Sequence, residues 1–228
     1  MKDRMIFAGV VAAALSGWTA SASQTGALRV QQAPEQLPPI APLVPEEPPE
    51  GGPGVEDVPF LAPDATDAAR TAHLDQLFGR LAMRDNPDWE KVQRQIWAAW
   101  NRSGSDSMDL LAQRADQAMA AEDYEAARAF LNDLVRLAPD FTEGWNKRAT
   151  LHFINNDYGK SLDDIAEVLR REPRHFGALS GLGIILDRIG DQAGALEAYR
   201  RAVAIHPNLP GAQDGIKKLE KQVEGRRL

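Results

Sequence analysis

The sequence predicts an all-α protein, a solenoid built from stacked antiparallel helix pairs, and three observations carry that expectation. Pro139, Pro173 and Pro207 recur at intervals of 34 residues. From Asp67 onward apolar residues return every three or four positions, and no stretch shows the strict alternation of a half-buried strand. Small residues fall in register with the prolines, at Ala115, Ala149 and Gly183 and again at Ala127, Ser161 and Ala195. Those are positions where paired helices need close backbone approach.

Residues 1–22 read as a secretory signal peptide. MKDR carries a net positive charge, Met5 to Trp18 is apolar or small, and Ala20-Ser21-Ala22 supplies an A-x-A cleavage site before Ser23. The apolar run, about 14 residues, falls short of the ~20 a spanning helix needs, so no membrane insertion is expected after cleavage. An uncleaved anchor is the alternative. Export, most simply to a bacterial periplasm, follows from this reading. Residues 23–66 are expected to be a disordered Pro/Glu-rich linker. Ten of the fifteen prolines lie between residues 31 and 64, together with seven acidic residues and no Lys or Arg, and proline and like-charge repulsion both oppose a packed fold. A spacer or a lure for a proline-recognising domain are its functional readings.

A helical hairpin is expected over 67–104. Leu74, Leu77, Phe78 and Leu81 share one helix face, Asn86-Pro87-Asp88 reads as a helix start, and Trp89, Val92, Ile96, Trp97 and Trp100 form the next stripe before Gly104. The Trp-rich stripe is expected to be a hydrophobic seam. The prolines then define three units, 108–141, 142–175 and 176–209. Within them bulky Leu131, Ile165 and Tyr199 correspond, as do Leu134, Val168 and Ala202, and Asp123-Tyr124, Asp157-Tyr158 and Asp191-Gln192 mark the turns inside each pair. Residues 210–228 form a final helix with Ile216, Leu219 and Val223 on one face and Lys217, Lys218 and Lys221 on the rest.

A 34-residue period with Trp145 at its opening aromatic position, Leu182-Gly183, Ala195-x3-Tyr199 and closing prolines resembles the tetratricopeptide repeat. Arg114 and Arg148 stand where that pattern has Leu, and Ala118 and His152 where it has Tyr. The resemblance implies a right-handed superhelix, with 67–104 as a degenerate further unit and 210–228 as the cap that a stack requires at its apolar end. It also implies a concave groove lined by the first helices that holds another protein or a peptide. By position, the groove candidates are Asp116, Met119, Asn146, Thr150, Phe153, Ile154, Ile184, Asp187 and Arg188. Phe153, Ile154, Ile184 and Met119 would leave apolar area for a partner to cover, or else belong to the core between units. Relatives that clamp a C-terminal carboxylate use positions held here by Ala112, Asp116, Lys147, Gly177 and Gly181; with one basic residue among them, that mode is not expected.

No catalytic grouping, cofactor motif or metal site is expected. Cysteine is absent, which removes thiolate ligands and Cys nucleophiles. Asn155-x-Asp157-x-Gly159 begins like a calcium loop but has Lys160 and Ala166 where Gly and Glu are needed. His152 and His206 lack ligand spacing and read as structural. The Asp163-Asp164 and Arg170-Arg171 pairs read as a solvated outer face. A net charge of −7 argues against nucleic-acid binding. The expectation is a non-catalytic scaffold in the cell envelope, with a self-associating structural protein or an accessory subunit of an envelope enzyme complex as the alternatives.

Overall fold

In the computed structural model the described residues, 66–225, form nine helices and no strand. The expected signal peptide and nearly all of the proline-rich segment fall outside them, as do residues 226–228. In order the helices are α1 (Asp67–Leu81), α2 (Trp89–Trp100), α3 (Asp106–Ala120), α4 (Tyr124–Leu137), α5 (Thr142–Ile154), α6 (Tyr158–Arg171), α7 (Phe176–Arg188), α8 (Gln192–Ile205) and α9 (Pro210–Gly225). Helices α3/α4, α5/α6 and α7/α8 pair, each pair packs on the next, and α9 closes the series against α7 and α8. The expected stack of helix pairs is the one observed.

Each pair turns in the same way, for a backbone reason. Glu122, Asn156 and Gly190 occupy one register position and all adopt a left-handed conformation, with φ of 57°, 59° and 89°. The next residue, Asp123, Asp157 or Asp191, donates its N–H to the carbonyl five residues back, at 2.8–2.9 Å, which satisfies a helix-end carbonyl. The same aspartates then start the second helix. Asp123 accepts from Ala126 N–H and Asp191 from Gly194 N–H, whereas Asp157 bonds Lys160 instead. The turn between pairs is equally regular: the N–H groups of Phe141, His175 and Leu209 donate to the carbonyls of Ala138, Glu172 and His206.

The register positions picked out by size are buried. Ala115, Ala127, Leu131 and Leu134 form the core of unit one; Ala149, Ile165 and Val168 that of unit two; Ala195, Tyr199 and Ala202 that of unit three. Unit three trades volumes. Tyr199 replaces the Leu or Ile of its neighbours, and a Cβ on Gly183 would lie 2.6 Å from its ring, as would one on Gly215 of α9. Glycine at 183, where the other units have alanine, makes room for the larger ring. Leu219 of α9 is buried in this cluster and Ile216 packs against it, so α9 covers the apolar side of α7 and α8.

The hairpin α1–α2 corrects one expectation. It is not a further unit stacked on unit one, since neither helix packs along α3 or α4. Its apolar face (Leu77, Phe78, Leu81, Val92, Ile96 and Trp100) forms one core with Phe176 and packs against Ile205 and Leu209. Phe176 and Ile205 are the helix ends that flank the turns between units and Leu209 lies in one, so the pair lies across an edge of the stack. The apolar stripe specified burial; it did not specify against what. The start of α2 also shifts. Asn86 does not cap it; its Oδ1 accepts from Asp88 N–H at 2.9 Å, forming a turn, and the helix begins at Trp89.

Gly183→Ala is expected to destabilise the chain by about 1–3 kcal/mol through overpacking, despite alanine's better helix propensity. In a Tyr199→Leu background the penalty should largely vanish, as read from urea unfolding of the four proteins. An equal cost in both backgrounds would show that the ring contact is not its origin.

Candidate functional site

Ion pairs join α3 to α5 and α7 to α9. Lys147 of α5 donates to both carboxylate oxygens of Asp116 of α3 at 2.9 Å. Lys218 of α9 donates to Asp187 of α7 at 2.7 Å. Both pairs span 31 residues, which is the register shifted by one helical turn. Arg188 of α7 donates to the hydroxyl of Tyr158 and lies over the Phe153 ring, 4.9 Å from its centroid. Asp116, Asp187 and Arg188 are thus each spent on a neighbouring element: Asp116 on α5, Asp187 on α9, and Arg188 on Tyr158 of α6 and Phe153 of α5. Of the apolar candidates Ile154 is exposed, at 40%, while Met119 and Ile184 are half-buried.

Three candidates prove to be interior. Asn146 is buried and spends its amide on Glu143 Oε2, at 3.0 Å, so it is not free to pair with a peptide backbone. The Thr150 hydroxyl, also buried, donates to the Asn146 carbonyl. Phe153 packs in the core with Ala149, Ile165 and Ile185, because the next unit, through Arg188, closes over it. The outer-face reading of Asp164 is corrected too. Asp164 is buried and takes two bonds from Arg148, at 2.8 and 2.7 Å, with His152 nearby. Arg148 stands where the repeat pattern has Leu, and its charge is matched inside the pair rather than solvated.

The start of the same face carries a buried node that the residue pattern did not reveal. His175 is fully buried; its Nδ1 accepts from Ala178 N–H at 3.0 Å, so Nε2 bears the proton and donates to Glu143 Oε1 at 2.7 Å. Burial alone would raise the pKa of Glu143. His175, Lys147 and Asn146 outweigh burial, so the carboxyl lies below its ordinary value of 4.5. The Trp100 indole lies flat on His175, centroids 4.2 Å apart at 8°. Beside it Trp97 covers Gly177, where a Cβ would come within 2.8 Å of the indole. Further along α2, Gln93 Oε1 meets His206 Nε2 at 2.7 Å. Burial pushes the His206 pKa down to about 4. A signal for this node did exist in the sequence: His175 shares its register position with Phe141 and Leu209, and a polar residue at an apolar position asks for a partner.

Among the described residues no group of three or more His, Cys, Asp or Glu could hold a metal ion. No helix among them is long and apolar enough to cross a membrane.

A family model for the tetratricopeptide repeat matches residues 112–167 and 146–210. A TPR repeat-containing protein of Rhizobium etli is 42% identical over 155 residues, which is 68% of this chain and 76% of that protein. Protein bimA of Emericella nidulans is 28% identical over 86 residues, 38% of this chain but 11% of that much longer one. Among solved structures, the Sgt2 TPR domain from Aspergillus fumigatus superposes with a TM-score of 0.50 at 22% identity, covering 54% of this chain and 83% of that one. That last likeness is one of fold.

Acid should loosen this region. His206 binds a proton more weakly folded than unfolded, so its stabilisation is complete above pH 6.5 and is lost as pH falls toward about 4. Glu143, with a lowered folded pKa, adds a loss at still lower pH. Denaturant unfolding at pH 7, 5.5 and 4 should show this decline, and His206→Gln should flatten the part between pH 6.5 and 4. An unchanged slope in the variant would assign the decline to other groups.

Proposed function

We propose that this chain, which belongs to the tetratricopeptide repeat family, is a non-catalytic interaction scaffold of the bacterial cell envelope that holds another protein or a peptide on the face made by its first helices. Tetratricopeptide repeat proteins generally mediate protein–protein interaction, and the family and its fold are typically non-catalytic. The observation that carries the reading is the state of that face. Its charged groups Asp116, Lys147, Asp187 and Lys218 are already paired between helices, while Ile154 is left exposed; Met119 and Ile184, half-buried, pack partly against the cores of their units. A face whose charges are satisfied internally and which leaves Ile154 uncovered suits a ligand that contributes apolar area. The envelope location rests on residues 1–22, whose charged start, apolar stretch and A-x-A site have the form of a secretory signal. The bacterial setting is supported by the relative from Rhizobium etli.

Replacing Ile154 by a photoreactive residue, in cells that export the protein, should yield a discrete adduct with a different protein. Ile154→Asp should abolish recovery of that protein while stability stays within about 0.5 kcal/mol, as usual for a surface change. Adducts with the chain itself would favour self-association, and undiminished recovery with Ile154→Asp would remove this face from consideration.

A further inference from the structure

We propose that the edge of the stack formed by the turns between units is a second docking surface, fitted to an amphipathic tryptophan-bearing helix, which the chain's own α2 occupies and which a partner helix of the same pattern can enter when α2 leaves. It is a different surface from the one around Ile154, and its test does not depend on that reading.

Trp89 and Gln93 reach His206, with ring centroids 5.3 Å apart and an oxygen–nitrogen distance of 2.7 Å. One turn further along, Trp97 lies against His175, Phe176 and Gly177. Trp100 stacks on His175 and, with Ala99, lines a cleft against Leu137–Thr142. One straight helix of about 18 Å therefore reads three successive inter-unit turns. Repetition makes this possible, because the 34-residue register presents the same turn at even spacing along one edge.

The occupant is held by long side chains rather than by close helix packing. Neither α1 nor α2 packs its backbone along any helix of the stack. The junction also holds polar atoms that are buried without a protein partner: Trp97 Nε1 and Trp100 Nε1 on α2, and His206 Nδ1 on the turn facing it. Such atoms recover hydrogen bonds when the surfaces part, which weakens the docked state. The hairpin joins α3 through the short Asn101–Ser105 segment, where Gly104 has a φ of 83° and Ser103 bonds Asp109 of α3; the swing is therefore placed on the hairpin side of Ser103.

The surface specifies what else fits it. Phe176, Ile205 and Leu209 accept an apolar stripe; His175 offers a buried ring for an indole; Gly177 admits a second indole that a Cβ would exclude; and His206 meets an amide. The matching ligand is a helix with tryptophans three residues apart, an aliphatic residue just before the first and a glutamine one turn upstream.

The chain's own α2 as a free peptide, residues 86–103 with a fluorescent label, is the probe. Its binding is measured against four proteins. The Trp97→Ala/Trp100→Ala chain, with its helix content checked by circular dichroism, should bind it about tenfold or more tighter than the native chain does. The chain has no Cys, so Asp75→Cys/Arg174→Cys bridged by a bis-maleimide pins the hairpin down; this protein should exclude the peptide, and the same variant left unbridged, the fourth protein, should bind it at least as well as the native chain. A peptide carrying both Trp-to-Ala changes should bind none of them. Should the Trp substitutions unfold the chain, Asp75→Ala/Gln93→Ala takes their place, and this loosened protein is likewise expected to bind the peptide more tightly than the native chain does. Equal binding to pinned and loosened chains, or no binding to a folded loosened chain, overturns the proposal.

Discussion

One imidazole joins three parts of the molecule. His175 caps α7 through Nδ1, donates to Glu143 of α5 through Nε2, and carries Trp100 of α2 on its ring face. Each contact constrains the next. The cap requires an acceptor at Nδ1, which forces the proton onto Nε2, which in turn makes a buried carboxylate tolerable. Lys147 and Asn146 complete the surroundings of that carboxylate, and Lys147 carries the link onward to Asp116 of α3. The order of units two and three, and the seat of the hairpin, rest on this chain of satisfied groups.

The repeats themselves vary around a constant geometry. A left-handed residue is needed at the turn inside each pair, yet Glu122 and Asn156 serve there as well as Gly190, so register has outlasted the residue type that would most easily supply it. The core shows the same trade in volume, with Gly183 giving back the space that Tyr199 takes. In unit two the trade is in charge. Arg148 at an apolar position is tolerated because Asp164 is buried with it and takes a two-bonded contact, an arrangement that is strongly destabilised when one member is lost.

The two faces suggested for binding differ in kind. Around Ile154 the apolar area is modest and the flanking charges neutralise one another across helices, which leaves shape and hydrophobic contact as the means of recognition. The turn edge is aromatic and deep, and the chain already supplies a helix for it. Both depend on the even spacing of identical units, which turns one local turn into a row of similar sites.

How much of this was legible depended on the range of the interaction. Helix positions, the three units, the small-residue contacts and the apolar face of α9 follow from apolar spacing and from prolines 34 residues apart, because each is set by neighbours within a turn or by strict register. Burial of Phe153, Asn146 and Asp164 could not be read that way, since their exposure is decided by Arg188, Glu143 and Arg148, whose approach depends on how units and paired helices pack. The seat of the hairpin lies further still from local pattern. Its contacts join residues as much as 113 apart, and an apolar stripe states that a surface must be covered without naming the cover. The sequence alone determined a stack of helix pairs; the tertiary structure decided which residues that stack keeps for itself, because burial and hydrogen-bond pairing are settled only when distant segments meet.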